Sequence, residues 1–193
     1  ALPELTPHQK KALAEIREGF RSGRPALLHG ITSSGKTEVY ARLISEELDA
    51  GRQVLYLVPE IAITEQLVRR LQRIFGAAVA VFHSRMNLQE RAELWHRIRD
   101  GNAEARLLVG ARSALFLPFA DLGLVIVDEE HENTFKQFDP APRYHARDAA
   151  VVLATYFKAR VLLGSATPSI ESYHNAMTGK YALAGMQRRF GDV

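Results

Sequence analysis

The sequence predicts an α/β fold in which a mostly parallel sheet carries helices on both faces. Two observations predict it: short apolar runs alternate with segments of helical period, and the runs are continuously apolar. Strands covered on both faces have such runs, and strands that alternate with helices form βαβ units. Ligands of such sheets bind at the carboxyl ends of strands, so functional residues are expected directly after each strand.

Six apolar runs are the candidate strands: residues 26–29, 54–58, 79–82, 106–109, 124–127 and 161–163. Between them, apolar residues recur at helical spacing on four stripes. The stripes are Leu13, Ile16 and Phe20; Val39, Leu43 and Leu48; Leu67, Leu71 and Ile74; and Leu94 with Ile98. Trp95 lies beside the last stripe, which favours packing in the core or along the helix over stacking on a base.

The composition is ordinary for a soluble globular protein, with 193 residues, 47% of them hydrophobic and 24% charged. No run approaches the roughly 18 apolar residues that a membrane span needs, so no membrane partner is expected. The chain has no cysteine, which excludes disulfides and thiolate zinc sites, and no zinc is expected in this segment. The net charge of +3 permits a polyanionic partner, although a solvated basic surface is the commoner interpretation.

A glycine-rich segment follows the first candidate strand and opens a helical stripe. It matches G-x-x-x-x-G-K-[ST] with Gly30, Ile31, Thr32, Ser33, Ser34, Gly35, Lys36 and Thr37. Backbone amides of such a loop surround nucleotide phosphates at a helix N-terminus, and the lysine adds a cation at the β and γ phosphates. Thr37 would offer its hydroxyl to Mg²⁺. The segment predicts a site for ATP with Mg²⁺.

Acidic residues end the strand at 124–127, where Asp128, Glu129, Glu130 and His131 follow. A carboxylate at this place would hold Mg²⁺, so Asp128 is the second candidate metal ligand. Glu129 would orient and deprotonate the attacking water. Lys36, Asp128 and Glu129 are therefore the candidate catalytic residues. His131 either couples this site to nucleic acid or caps the turn.

Small hydroxyl residues follow the strand at 161–163, in the run Ser165, Ala166 and Thr167. Their hydroxyls could bond to the acidic motif and respond to its state. The same segment also reads as a helix start, with Thr167 as cap before Pro168 and Glu171 downstream. Both interpretations can hold together.

These three motifs, in this order, resemble those of the superfamily 2 helicases and translocases. Further residues resemble the bacterial replication-restart helicases, namely His83, Ser84, Asn87, Glu90, Arg91, Trp95 and the segments 112–119 and 142–148. The resemblance implies a RecA-like P-loop NTPase lobe over residues 1–193. It also implies a fragment, with the second lobe, the zinc element and the amino-terminal DNA-binding regions outside it, so the isolated lobe is expected to be nearly inactive.

The resemblance also implies functional residues at matching positions. Gln9 would contact the adenine base, and His131 with Ser165, Ala166 and Thr167 would couple hydrolysis to DNA. Segment 133–147 corresponds to an aromatic-rich loop whose rings could stack on bases or tether the loop to the core. The expected DNA contacts are Pro59, Glu60, Arg112, Ser113, Phe135, Lys136, Phe138, Arg143, Tyr144 and Arg147.

As a whole, the resemblance implies an ATP-dependent helicase of 3′-to-5′ polarity that acts in replication restart on single-stranded or forked DNA. Other primosome proteins and single-strand-binding protein are the implied partners, and a cytoplasmic monomer in bacteria is the implied state. An alternative is a nucleotide-gated duplex translocase or binding module without strand separation. A P-loop kinase would leave the run from Ser165 to Thr167 unexplained.

Overall fold

Nine strands and six α-helices make up the described part of the chain. The structure is a computed structural model and describes residues 2–30, 35–137, 141 and 143–186. The strands are β1 (Ala26–Gly30), β2 (Gln53–Leu57), β3 (Val79–Phe82), β4 (Leu107–Gly110), β5 (Leu122–Asp128), β6 (Lys136–Gln137), β7 (Tyr144–His145), β8 (Arg160–Ser165) and β9 (Ala182–Met186). The helices are α1 (Pro7–Arg21), α2 (Lys36–Asp49), α3 (Glu65–Phe75), α4 (Leu88–Arg99), α5 (Ala146–Phe157) and α6 (Ile170–Met177).

Seven strands form one sheet in the order β3-β4-β2-β5-β8-β1-β9, and the paired strands in it run parallel. Successive side chains of a strand point to opposite faces, so each strand feeds two cores. Helices α1, α2 and α3 cover one face, where Ile16, Ile44 and Leu71 are buried. Helices α4, α5 and α6 cover the other, where Ile98 and Ala150 are buried. The predicted parallel sheet with helices on both faces is confirmed.

One strand of the main sheet was not predicted, and the prediction for Trp95 is borne out along its helix. Strand β9 lies at an edge of the sheet and alternates strictly between buried and exposed residues. Its exposed positions are Leu183 and Gly185 rather than polar residues, so the sequence shows no alternation there. Trp95 is 41% exposed and packs along the helix as predicted, with the guanidinium carbon of Arg99, one turn further along α4, 5.4 Å from its ring centroid. The core of that helix is formed by Leu94 and Ile98 alone.

The segment 133–147 has regular structure where the structure describes it. Residues Asn133–Phe135 form a 3-10 turn, and β6 pairs antiparallel with β7. Helix α5 then begins at Ala146, with the His145 side chain accepting the amide of Arg147 as N-cap. Across the described residues, no helix combines the length and apolar character that crossing a membrane requires.

Candidate nucleotide site and its coupling residues

The phosphate loop joins the end of β1 to the start of α2. Ile31, Thr32, Ser33 and Ser34 lie outside the described residues. Gly35 has φ 84°, and a Cβ at this position would overlap the side-chain amide of Gln9, so glycine is required here. Lys36 is buried and donates from Nζ to the carbonyl of Gly30 at 3.0 Å. The lysine therefore points back across the mouth of the loop.

Gln9 lies against this loop. Its Oε1 accepts the amide of Thr6 at 2.8 Å, and its Nε2 donates to the carbonyl of Gly35 at 3.1 Å. Thr6 and Gln9 thus form a capping box at the start of α1. Gln9 is 1% exposed, so its amide supports the loop in this state. Its contact with an adenine base stays a prediction.

Asp128 ends the central strand β5 and is held by two tyrosines. Its Oδ1 accepts the hydroxyl of Tyr40 at 2.8 Å, and its Oδ2 lies 3.4 Å from the hydroxyl of Tyr56. Neither tyrosine was predicted, because each looks like an apolar core residue of α2 or β2. Burial raises the pKa of Asp128, while Tyr40 and then Lys36 oppose that rise.

Glu129 follows in the left-handed backbone region, with φ 54°. A residue other than glycine rarely adopts this conformation unless surrounding contacts impose it. Burial, and then the charge of Asp128, raise the pKa of Glu129, whereas Lys36 lowers it. A carboxylate with a raised pKa beside a metal ligand suits the role of a general base.

His131 connects Glu129 to the end of β8. Its Nδ1 lies 2.6 Å from the Ser165 hydroxyl, and its Nε2 lies 3.6 Å from a carboxylate oxygen of Glu129. The Ser165 hydroxyl accepts the amide of Thr167, so its own proton is available to the imidazole. The tautomer of the imidazole sets which of Nδ1 and the Ser165 hydroxyl donates, and Nε2 faces Glu129. The predicted bond between the hydroxyl run and the acidic motif is present.

Glu130 is fully buried and was not predicted as a site residue. It accepts hydrogen bonds from the amide of Ser169 at 2.7 Å, from the hydroxyls of Ser169 and Ser172, and from Arg147 at 3.2 Å. The N-cap of α6 is Ser169, so the interpretation of Thr167 as cap is wrong. Pairing Glu130 with Arg147 joins the acidic motif to α5 and α6.

Arg147 and two other predicted DNA contacts are buried. Arg147 is 7% exposed, and its guanidinium is occupied by Glu130, Ser169 and Asp148. Phe135 is 1% exposed, and Pro59 is also buried. Arg147 neutralises a buried carboxylate and Pro59 packs in the interior, which contradicts their predicted DNA contacts. Phe135 packs in the interior as well, as expected if its ring tethers the loop to the core.

The other predicted DNA contacts that the structure describes are at least partly exposed. They are Glu60, Arg112, Ser113, Lys136, Arg143 and Tyr144. Arg112 donates to the carbonyls of Thr134 and Lys136 at 3.1 and 3.0 Å, so it holds the backbone at the start of β6 in place. Phe138 lies outside the described residues.

An aromatic pair lies beside Arg112 and strand β7. The ring of Tyr144 meets Phe116 edge to face, with centroids 5.2 Å apart. Burial raises the pKa of the Tyr144 hydroxyl. Phe116 is 65% exposed and was not singled out from the sequence, although its segment was. The pair presents an exposed ring beside Arg112, and base stacking requires such a surface.

The residues fit a magnesium ion with nucleotide. Mg²⁺ prefers oxygen ligands, and the candidate donors are the Thr37 hydroxyl and the Asp128 carboxylate. Thr37 lies in the first turn of α2, and Tyr40 of the same helix contacts Asp128, so the elements that carry the two donors touch. Lys36 would supply the cation that phosphates need.

Comparison with known proteins agrees with this geometry. The family model described as DEAD/DEAH box helicase matches residues 6–176, which is most of the chain. A solved structure of RecG bound to a three-way DNA junction superposes with a TM-score of 0.65 at 24% identity, over 98% of this chain and 25% of that one. At this identity the likeness shows the fold alone, and it confirms the RecA-like α/β architecture.

Curated relatives are similar over nearly the whole chain. Replication restart protein PriA of Bacillus subtilis is 46% identical over 187 residues, 96% of this chain and 23% of that protein. PriA of Haemophilus influenzae is 46% identical over 189 residues, 97% of this chain and 26% of that protein. The chain thus spans about a quarter of the length of these relatives.

Proposed function

Because this chain belongs to the DEAD/DEAH box helicase family, we propose that it is the nucleotide-binding lobe of an ATP-driven DNA helicase of 3′-to-5′ polarity. The observation that carries the proposal is the contact path from Glu129 through His131 to Ser165. It joins a carboxylate suited to activating water to the end of β8, where Ser165 is buried and Thr167 is exposed.

Each residue of the site has a separate task in this proposal. Lys36 and the loop amides bind the phosphates of ATP, and Thr37 with Asp128 binds Mg²⁺, which neutralises charge on the phosphates. Glu129 orients the attacking water and accepts its proton. His131 lies between Ser165 and Glu129, with Nε2 3.6 Å from the carboxylate, so a small movement of the ring would bring it within hydrogen-bond reach of Glu129.

Hydrolysis at a useful rate requires a further cation from outside this lobe. In nucleotide hydrolases of this kind an arginine supplied to the transferred phosphate accelerates turnover by about 10³ to 10⁵. The lengths of the PriA relatives, about four times that of this chain, support a second lobe as its source. The isolated chain should therefore bind nucleotide and hydrolyse it very slowly.

Replication restart on single-stranded or forked DNA is the proposed setting. Its support is the likeness to replication restart protein PriA, together with the exposed ring of Phe116 and the exposed side chains of Arg143 and Lys136. Other primosome proteins and single-strand-binding protein are the proposed partners of a monomer in the bacterial cytoplasm.

An unwinding assay with the intact protein tests the proposal. Duplexes that carry a 3′ tail, a 5′ tail or no tail are incubated with ATP and Mg²⁺, and Lys36→Ala serves as the variant unable to bind phosphate. We expect unwinding that starts from the 3′ tail and is lost in the variant. Movement along duplex DNA without strand separation, detected by displacement of a third strand, would instead support a translocase.

A further inference from the structure

Tyr40 and Asp128 form a contact that the proposed function leaves unused. The Tyr40 hydroxyl donates to Oδ1 at 2.8 Å, and the ring meets Tyr56 edge to face with centroids 5.7 Å apart. Both tyrosines are 1% exposed, so no bulk water competes for their hydroxyls. A carboxylate at the candidate metal site thus has a fixed, dry hydrogen-bond donor.

Gly164 makes room for this contact. It lies in β8 directly opposite Asp128 in the strand register. A Cβ at Gly164 would overlap the Tyr40 hydroxyl, so a larger residue would push the tyrosine away from Asp128. Tyr40 of α2, Asp128 of β5 and Gly164 of β8 therefore pack together around a single carboxylate oxygen.

Tyr40 is also placed on the helix that carries the other metal donor. It lies three residues after Thr37, close to one helical turn, in the first part of α2. A shift of α2 would move Thr37 and Tyr40 together, and Asp128 would be drawn along by the hydrogen bond. The hydroxyl thereby couples the two candidate ligands of Mg²⁺.

We propose that Tyr40 is a positioning residue for the magnesium site. Its hydroxyl holds Asp128 in the orientation that binds the ion with the nucleotide. This inference rests on the proposed Mg²⁺–ATP site. Removing a partner that orients a metal ligand typically lowers metal affinity or activity by about 10- to 100-fold. Tyr56, whose hydroxyl is at 3.4 Å, makes the weaker contact and contributes less.

A binding experiment without turnover tests this role. The affinity for a fluorescent, non-hydrolysable ATP analogue is measured in Mg²⁺ and in EDTA, for the intact protein and for Tyr40→Phe. We expect the affinity in EDTA to be unchanged and the gain in affinity from Mg²⁺ to fall by about tenfold. Gly164→Ala should reduce the same gain, because its Cβ displaces the hydroxyl.

Tyr181→Phe is the matched control. Tyr181 is also buried, and its hydroxyl is bonded to Asn175, next to α6 and away from Asp128. If Tyr40→Phe lowers the unfolding temperature as Tyr181→Phe does and leaves the Mg²⁺ gain intact, the hydroxyl is merely structural and the inference is overturned. If the unsubstituted protein gains nothing from Mg²⁺, the proposed site itself fails, which is a separate result.

Discussion

The Nδ1 atom of His131 lies 2.6 Å from the hydroxyl of Ser165, which joins the ends of β5 and β8 beside the candidate general base. The contact spans the acidic motif and the hydroxyl run, which the sequence places 34 residues apart. The opposite ring nitrogen lies 3.6 Å from Glu129. A change at the Ser165 strand end can therefore alter the orientation of the base.

Ser165→Ala should uncouple DNA binding from hydrolysis. Removal of the hydroxyl leaves His131 free to rotate, so DNA no longer sets the direction of Glu129. We expect stimulation of ATPase activity by single-stranded DNA to fall roughly tenfold, a coupling free energy of about 1.4 kcal/mol. Nucleotide affinity should be unchanged. Ser45→Ala, on the distal half of α2, is the control, and equal stimulation in both variants would contradict the coupling role.

Tyr144→Ala and Phe116→Ala should weaken single-stranded DNA binding, measured by fluorescence anisotropy. Base stacking on an aromatic ring contributes about 1–3 kcal/mol per base. Tyr156 is 83% exposed and lies near the end of α5, shortly before β8 begins. Tyr156→Ala therefore removes an exposed aromatic ring near the amino end of β8. An equal loss of affinity in Tyr156→Ala would remove the support for a stacking surface at Tyr144 and Phe116.

Arg147→Met should destabilise the fold without acting on DNA directly. The substitution leaves Glu130 as a buried charge without its cation, which costs about 3–5 kcal/mol of unfolding free energy. Glu130→Gln in the same chain should restore much of that loss, since the hydroxyls of Ser169 and Ser172 can still donate to the amide oxygen. Urea unfolding of the two single variants and the double variant measures the coupling. Additive losses would mean that the pair is not an energetic unit.

Asp128→Asn should raise the unfolding temperature at neutral pH. Burial raises the folded-state pKa of Asp128 above its unfolded value. Its contribution to stability is therefore fully present below the unfolded pKa and is lost as the pH rises through the folded pKa. The amide imitates the protonated form, so the advantage of the variant should be present at neutral pH and shrink as the pH is lowered toward the usual aspartate pKa of about 3.9. Asp49→Asn, at an exposed position, is the control variant.

The motifs could be predicted from the sequence because their chemistry depends on local spacing. Lys36, Asp128 and Glu129 each follow a strand with a continuous apolar pattern, so their place near the carboxyl ends of the strands was predictable. The tyrosine at 40 was not, because its contact with Asp128 is set by the packing of α2 on β5 and by the missing Cβ of Gly164. Such tertiary contacts leave no periodic signal.

The error at Arg147 has a similar physical cause. Its neighbours at 143–146 resemble a loop that binds nucleic acid, and a cation there suggests a phosphate contact. The partner that decides its role, Glu130, lies 17 residues earlier and is buried, where Ser169 and Ser172 at the start of α6 also donate to it. A buried ion pair between distant segments cannot be distinguished from an exposed cation by sequence pattern.

Glu129→Gln tests the central claim most directly. In the intact protein, ATP hydrolysis with single-stranded DNA is measured beside the affinity for ATP and Mg²⁺. Loss of the general base should lower turnover by about 10² to 10⁴ while affinity stays close to that of the unsubstituted protein. Turnover within a few-fold of the unsubstituted rate, with affinity unchanged, would contradict the assignment of Glu129 and the hydrolysis mechanism built on it.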